Sequence, residues 1–420
     1  FFQAEDGIRD FCLSRGLGDV YKRQVVLQAN EVIELVLEGL DTFATIVLND
    51  QVLGHTQNQH RTFVFDIKPY LKPINNRLEI RFDTVLPYIR RKTVEKKLPE
   101  WKGPPEEAGR AYVRKMSANF GWDWGPIFTT SGIWRPVFIR AYTNRIVEVQ
   151  VLQHHRENEV VLDLTVELSQ MEGEVRVEVW EKDVLLIATT GERYQNIVET
   201  KLIIPNPALW WPNGMGQQTL YTVRVVLDGV DTDVWEKKIG LRTLRLQRKR
   251  DQWGESFFFE VNGIPFFAKG ANWIPGDALY TRFNRYRDIL KSAADAHMNM
   301  IRVWGGGIYE EEVFYDLCDE LGLCVWQDFM FACANYPGRD PEFIENVRQE
   351  AADNVRRIRH RASLAIWCGN NELEAGLVGK VPTAWNGIWE DYDPIFNVVL
   401  PAVVGQLDPQ RQYWPCSPHN

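Results

Sequence analysis

Four times in the second half of this chain an apolar run breaks off in a polar and aromatic tip: GANWIPGD (270–277), NMIRVWGGGIYE (299–310), WQDFMFACANYP (326–337) and LAIWCGNNE (364–372). Between them, residues 280–297, 310–321 and 340–359 carry apolar side chains three and four apart, the period of a helix with one buried face. Short apolar runs alternating with such helices predict a parallel sheet from about Gly263 onward, because parallel neighbours need a crossover and a helix supplies it. The polar tips then gather at the C-terminal ends of the strands, where enzymes of this architecture keep their chemistry.

Glu372, behind Asn371 at the end of the fourth run, is the first candidate. Cleaving a glycosidic bond needs a carboxylic acid to protonate the leaving oxygen, and a neighbouring amide can hydrogen-bond the sugar 2-hydroxyl. A strand-end glutamate in a surface ion pair is the plainer reading. Glu374 stands two residues on, and alternation along a strand does not separate it from Glu372. Arg302 at the second tip fits either an inter-strand ion pair or the support of a carboxylate in the mouth. Asp328, closing the third run, divides between ion pair and ligand contact. Asn272 and Trp273 read as pocket wall, with core packing the rival for Trp273. Trp304 reads as a stacking platform, with glycines 305–307 giving the backbone room to approach a ligand. Asp123, flanked by Trp122, Trp124 and two glycines, fits a loop contact or a turn aspartate capping its own backbone. Arg114 and Lys115 are a solvated pair or a contact with substrate or another domain.

Upstream, residues 32–141 read as strands and turns, and residues 142–241 alternate strictly, with Val175, Val177 and Val179 set against Arg176 and Glu178. At 420 residues two or three domains are expected. The net charge of −9 and the lack of a basic stripe argue against a nucleic-acid partner. No run of about 18 apolar residues suggests a membrane span. The six cysteines show no metal spacing, and Cys318, Cys324, Cys333 and Cys368 read as small core residues. His154 and His155 are adjacent, so on a strand they face opposite sides and are poorly placed to share a metal. Sixteen Trp favour sugar stacking only slightly, since most Trp is packing.

With FGWDWGP (120–126), SGIWRPV (131–137), WWPNGMG (210–216) and the CGNNE tip, the chain resembles the family 2 glycoside hydrolases, and among them the β-mannosidases. The resemblance implies a multidomain β plus α/β protein: a jelly-roll galactose-binding-like domain at 25–141 lacking its first strands, an immunoglobulin-like sandwich at 142–241, and the N-terminal part of a (β/α)8 TIM barrel at 242–420. It makes Glu372 the acid/base beside Asn371, Arg302 the support of the nucleophile, and Trp122 and Asp123 substrate contacts, which Asn272, Trp273 and Trp304 join from their places at the strand tips. The nucleophilic glutamate itself is expected beyond Asn420, so a chain ending there is expected to show no turnover. No metal or other cofactor is implied, and β-mannosides are the expected partners. Another family 2 exo-glycosidase, or a non-catalytic carbohydrate-binding protein, is the alternative. Two departures touch loops: Arg361, Ala362 and Ser363 stand where the family has His-Pro-Ser, and Gly276 where it has Ala in Pro-Ala-Asp. Both put loop rigidity in doubt. Residues 1–24 match no later pattern and read as translated sequencing adapter. The lack of an Asn-x-Ser/Thr sequon leans toward a bacterial cytoplasmic enzyme, with lysosomal or periplasmic placement left open.

Overall fold

The computed structural model describes residues 32–101, 108–229, 232–379 and 388–419. The segment 1–24 lies outside them. Two three-stranded antiparallel sheets come first: Val137–Tyr142, Val32–Leu37 and Phe63–Asp66 in one, Gln51–Gln57, Phe43–Leu48 and Leu78–Asp83 in the other. Alternate residues Ile33, Leu35 and Leu37 meet Ala44, Ile46 and Leu48 in one core, as the two-residue strand period requires. One element departs from the all-strand expectation. Leu86–Glu95 is a helix that buries only Ile89, so its apolar stripe is faint in the sequence.

Two four-stranded antiparallel sheets follow. Ile146–His155, Glu159–Leu168, Ile197–Pro205 and Glu192–Tyr194 form one, and Val184–Thr190, Glu174–Glu181, Tyr221–Asp228 and Asp233–Ile239 the other. Val175, Val177 and Val179 point into the core they share with Leu162, Leu164 and Val166. His154 and His155 take different partners, Asp163 at 3.8 Å and Gln153 at 3.1 Å.

Beyond these lie five parallel strands in chain order: Gly270–Trp273, Met300–Val303, Cys324–Asp328, Leu364–Cys368 and Gln412–Trp414. The crossovers are helices Tyr286–Asp295, Glu312–Leu321, Pro341–Ile358 and, before the fifth strand, Leu400–Leu407. The longest shows why it forms: Asp340 accepts from the Glu342 and Phe343 N–H groups, Pro341 opens the first turn, and Phe343, Val347, Ala351, Val355 and Ile358 recur on the buried face. The WWPNGMG segment closes the N-terminal end of these strands. Trp210 is fully buried against Met300, Cys324, Ala362 and Ile366, and its Nε1 donates to the Asp319 carbonyl at 2.8 Å. Both departures lie in packed surroundings. Arg361 is buried between Glu312 and Asp316, and a Cβ at Gly276 would lie 2.2 Å from the Phe283 ring, which leaves no room for alanine here.

The first domain is locked onto the parallel unit. Arg114 forms a bidentate pair with Glu350 (2.7 and 2.8 Å), both 1% exposed at the side chain, and also donates to the Met330 carbonyl. Asn58 donates to the same carboxylate at 2.9 Å, and Gln59 donates to Tyr280 at 2.8 Å. Burial pushes the Glu350 carboxyl up, but the Arg114 charge and its hydrogen bonds outweigh this and hold it below its ordinary 4.5. A depressed carboxyl stabilises the fold above that value and loses the effect as pH falls.

Arg114→Met strands a buried carboxylate and is expected to cost about 3–5 kcal/mol in denaturant unfolding. Adding Glu350→Gln should recover part of the loss. A cost below about 1 kcal/mol for the single variant would show the pair to be dispensable.

Candidate active site

The strand tips converge on one carboxylate. Asp328 is fully buried at the end of the third strand and accepts from Arg302 Nη2 (2.7 Å) and Nε (3.2 Å), Trp326 Nε1 (3.0 Å) and the Gly305 N–H (3.0 Å). Trp326 reaches it because residues two apart share a strand face. Burial pushes the Asp328 carboxyl up against the pull of Arg302; burial also works against the Arg302 charge, and Asp328 more than offsets it, so the guanidinium holds its proton more firmly than usual. Arg302 thus has a carboxylate partner in Asp328. Arg302 also donates to Asn272 Oδ1 (3.3 Å), its register neighbour on the first strand, and to Asn371 Oδ1 (3.0 Å) past the fourth. Two of the expected site residues, Asn272 and Asn371, are thus gathered with Asp328 by one guanidinium.

Glu372 follows with φ +63°, left-handed for a non-glycine residue. Its N–H donates to the Ser417 carbonyl and its own carbonyl accepts from Gly376, which opens the helix Leu373–Gly379. That turn separates the two glutamates. Glu374 is buried, accepting from the Tyr392 hydroxyl (2.6 Å) and facing His419 Nδ1 (2.8 Å), while Glu372 stays partly open beside the Cys333 thiol, 3.5 Å away.

One wall comes from the first domain. Trp122 and Trp124 meet the Trp304 ring edge-on at 4.8 and 5.7 Å, and the Ala118 N–H donates to the Gly306 carbonyl. Trp304 is left 6% exposed beneath them, so Trp124, 44% exposed, offers the wider open face. Asp123 is exposed at the tip of this loop. Glycines 305 and 306 serve protein packing rather than ligand approach: a Cβ would fall 2.5 Å from the Phe331 carbonyl oxygen in one case and 2.0 Å from the Trp304 ring in the other. Lys115 is buried on Asp41, so neither it nor Arg114 is a solvated pair or a substrate contact. Trp273, expected in the pocket wall, does not line it. It lies on the opposite strand face from Asn272, 7% exposed, stacked on Tyr286 and donating to Glu310 at 2.9 Å, and so belongs to the core under the helices. Cys333, a small core residue by its composition, and Trp124 also lie against the strand tips, and CANYP and WDW set both beside motif residues in the sequence.

Comparisons with known proteins place the chain among glycoside hydrolases. Family models match residues 20–135 (glycosyl hydrolase 2 galactose-binding domain-like) and 134–242 (glycosyl hydrolases family 2). The chain is 37% identical to beta-mannosidase B of Emericella nidulans, over 95% of this chain and 50% of that one, and 36% identical to beta-mannosidase of Bos taurus, over 92% and 47%. It thus spans about half the length of the curated relatives it matches. The crystal structure of a β-D-mannosidase from Dictyoglomus thermophilum superposes with a TM-score of 0.84 at 37% identity, covering 93% of this chain and 49% of that one. A β-glucuronidase from Parabacteroides merdae, at 16% identity and TM-score 0.66 over 92% of this chain and 48% of that one, shares the fold.

Glu310, under Trp273, gives this region a pH dependence. Burial pushes its carboxyl from 4.5 up to about 7, against hydrogen bonds from Tyr286 and Trp273. A carboxyl raised in the folded state contributes stability that is full below 4.5 and lost as pH rises through about 7. At 1.36 kcal/mol per pH unit this is roughly 3 kcal/mol. Unfolding free energies of wild type and Glu310→Gln, compared from pH 4 to 8, should diverge by that order with wild type losing ground; a constant difference would contradict the raised carboxyl.

Proposed function

We propose, because this chain belongs to glycoside hydrolase family 2, that the whole protein is a retaining exo-β-mannosidase acting on terminal non-reducing β-D-mannose. The carrying observation is the gathering of Asn272, Asp328 and Asn371 on Arg302, next to the partly open Glu372 and beside a tryptophan wall. On this reading the five parallel strands are the first five of an eight-stranded barrel, whose C-terminal mouth is the site.

Glu372 protonates the glycosidic oxygen and later, as carboxylate, takes a proton from the water that releases the sugar. A second carboxylate about 5 Å away forms the glycosyl-enzyme. Asp328, enclosed by four donor contacts, is not proposed for this nucleophile. Arg302 supports the nucleophile from its fixed place on Asp328. The Asn371 Oδ1 is held by Arg302, which turns its amide group, with one N–H on Cys333, toward a sugar 2-hydroxyl for the other. Asp123 hydrogen-bonds the sugar from the exposed loop, and Trp122, with Trp304 packed behind it, backs the apolar face of the ring.

A panel of nitrophenyl glycosides tests the substrate class: the β-mannoside should be cleaved in preference to the β-galactoside, β-glucuronide and β-glucosaminide, and a different order would overturn it. Glu372→Gln should lower kcat/KM by about 10²- to 10⁴-fold on substrates with poor leaving groups and much less on activated phenyl glycosides. Equal losses on both, with no rescue by azide, would remove Glu372 from the acid/base role.

A further inference from the structure

We propose that Cys333 is a positioning residue for Glu372, its S–H donating to Oε2 at 3.5 Å and holding the carboxylate that must act as base in the second half of the reaction. The inference rests on the acid/base reading of Glu372 and extends it to a residue outside the recognised motif. Cys333 is 1% exposed, so no water competes for the carboxylate on its side. Its sulfur accepts from Asn371 Nδ2 at 3.5 Å, and its N–H donates to the Asn371 carbonyl at 3.1 Å, so the thiol bridges the two residues of the Asn-Glu pair.

The position is built with care for its backbone. Cys333 sits at φ +50°, a left-handed conformation that costs a non-glycine residue free energy and persists where surrounding contacts fix it. Those contacts come from the first domain: the Cys333 carbonyl accepts from Arg110 Nη2 (3.0 Å) and from the Trp101 N–H (3.2 Å). Arg110 is itself anchored on Glu100 at 3.0 Å. The thiol that touches Glu372 is therefore held by a domain that contributes no strand to the parallel sheet. Burial, with the Glu372 charge beside it, pushes the thiol up to about 12, so near neutral pH it keeps its proton and acts as donor rather than as a competing base.

The test is the pH profile of kcat/KM for a mannoside with a poor leaving group, measured on the whole protein. Its alkaline limb reports loss of the proton from the general acid. Cys333→Ala removes the donor, makes the ionised form less favourable and is expected to move that limb up by about half a pH unit. Cys333→Ser, which keeps an O–H, should return the limb most of the way. An unmoved limb in Cys333→Ala, with kcat/KM lowered alike in both variants, would reduce Cys333 to packing and overturn the proposal. Glu372→Gln separates the underlying reading: an alkaline limb that persists in that variant overturns the acid/base assignment itself, and with it any role for Cys333 through Glu372.

Discussion

A carboxylate out of reach of water must be surrounded by donors or give up its charge, and Asp328 settles the matter with donors. Satisfying it orients Arg302, fixes the Trp326 ring and folds the Gly305 turn against the end of the third strand. Arg302, so placed, has a further nitrogen for Asn272 and a shared one for Asn371. The mouth residues are thus positioned from beneath, by a group that does not itself face the open side. A bidentate arginine holds direction as well as distance.

The second constraint comes from far away in the chain. Residues 58–62 and 110–118 reach the helix Pro341–Ile358 and the loop after the third strand through Asn58, Arg61, Arg110 and Arg114. Helical periodicity explains why that helix carries Glu350 and Asn354 on its buried face: the face is covered by a domain with polar groups to satisfy, and Asn354 donates to the His60 carbonyl at 2.9 Å. The same docking brings Trp122 and Trp124 over Trp304.

Much of this was legible in the sequence. The four apolar runs with polar tips became four of the five parallel strands, and the segments 310–321 and 340–359 became helices shifted by two residues or fewer at each end. The run 280–297 is shorter as a helix, because its first turn is the separate 3-10 turn Tyr280–Arg282, from which Tyr280 bonds the first domain. Strand alternation identified the valines of the second domain for the same reason. Side-chain direction at the tips was less accessible. Trp273 and Asn272 are adjacent, and only the strand face, unknown until the neighbours are known, decides that one enters the core and the other the mouth. Cys333 is a similar case, a small apolar residue by composition whose use depends on a left-handed turn with no marker in its side chain. The Glu372 and Glu374 ambiguity dissolved because the chain leaves the strand between Cys368 and Leu373, so strand alternation no longer applies there.

Trp210 and its neighbours close the N-terminal end of the parallel strands with a dry layer, in which Leu244, Leu246, Phe259 and Val261 join Met300, Cys324 and Ile366. Solvent polarises only what it can reach. With apolar side chains below and the domain wall beside, the Arg302–Asp328 pair sits in a weakly polarisable medium, so its two charges attract more strongly than they would in water. The sealing tryptophan at the far end therefore has an electrical effect at the near end: it keeps the medium beneath the guanidinium unresponsive, so that the pair that holds Asn272 and Asn371 stays closed.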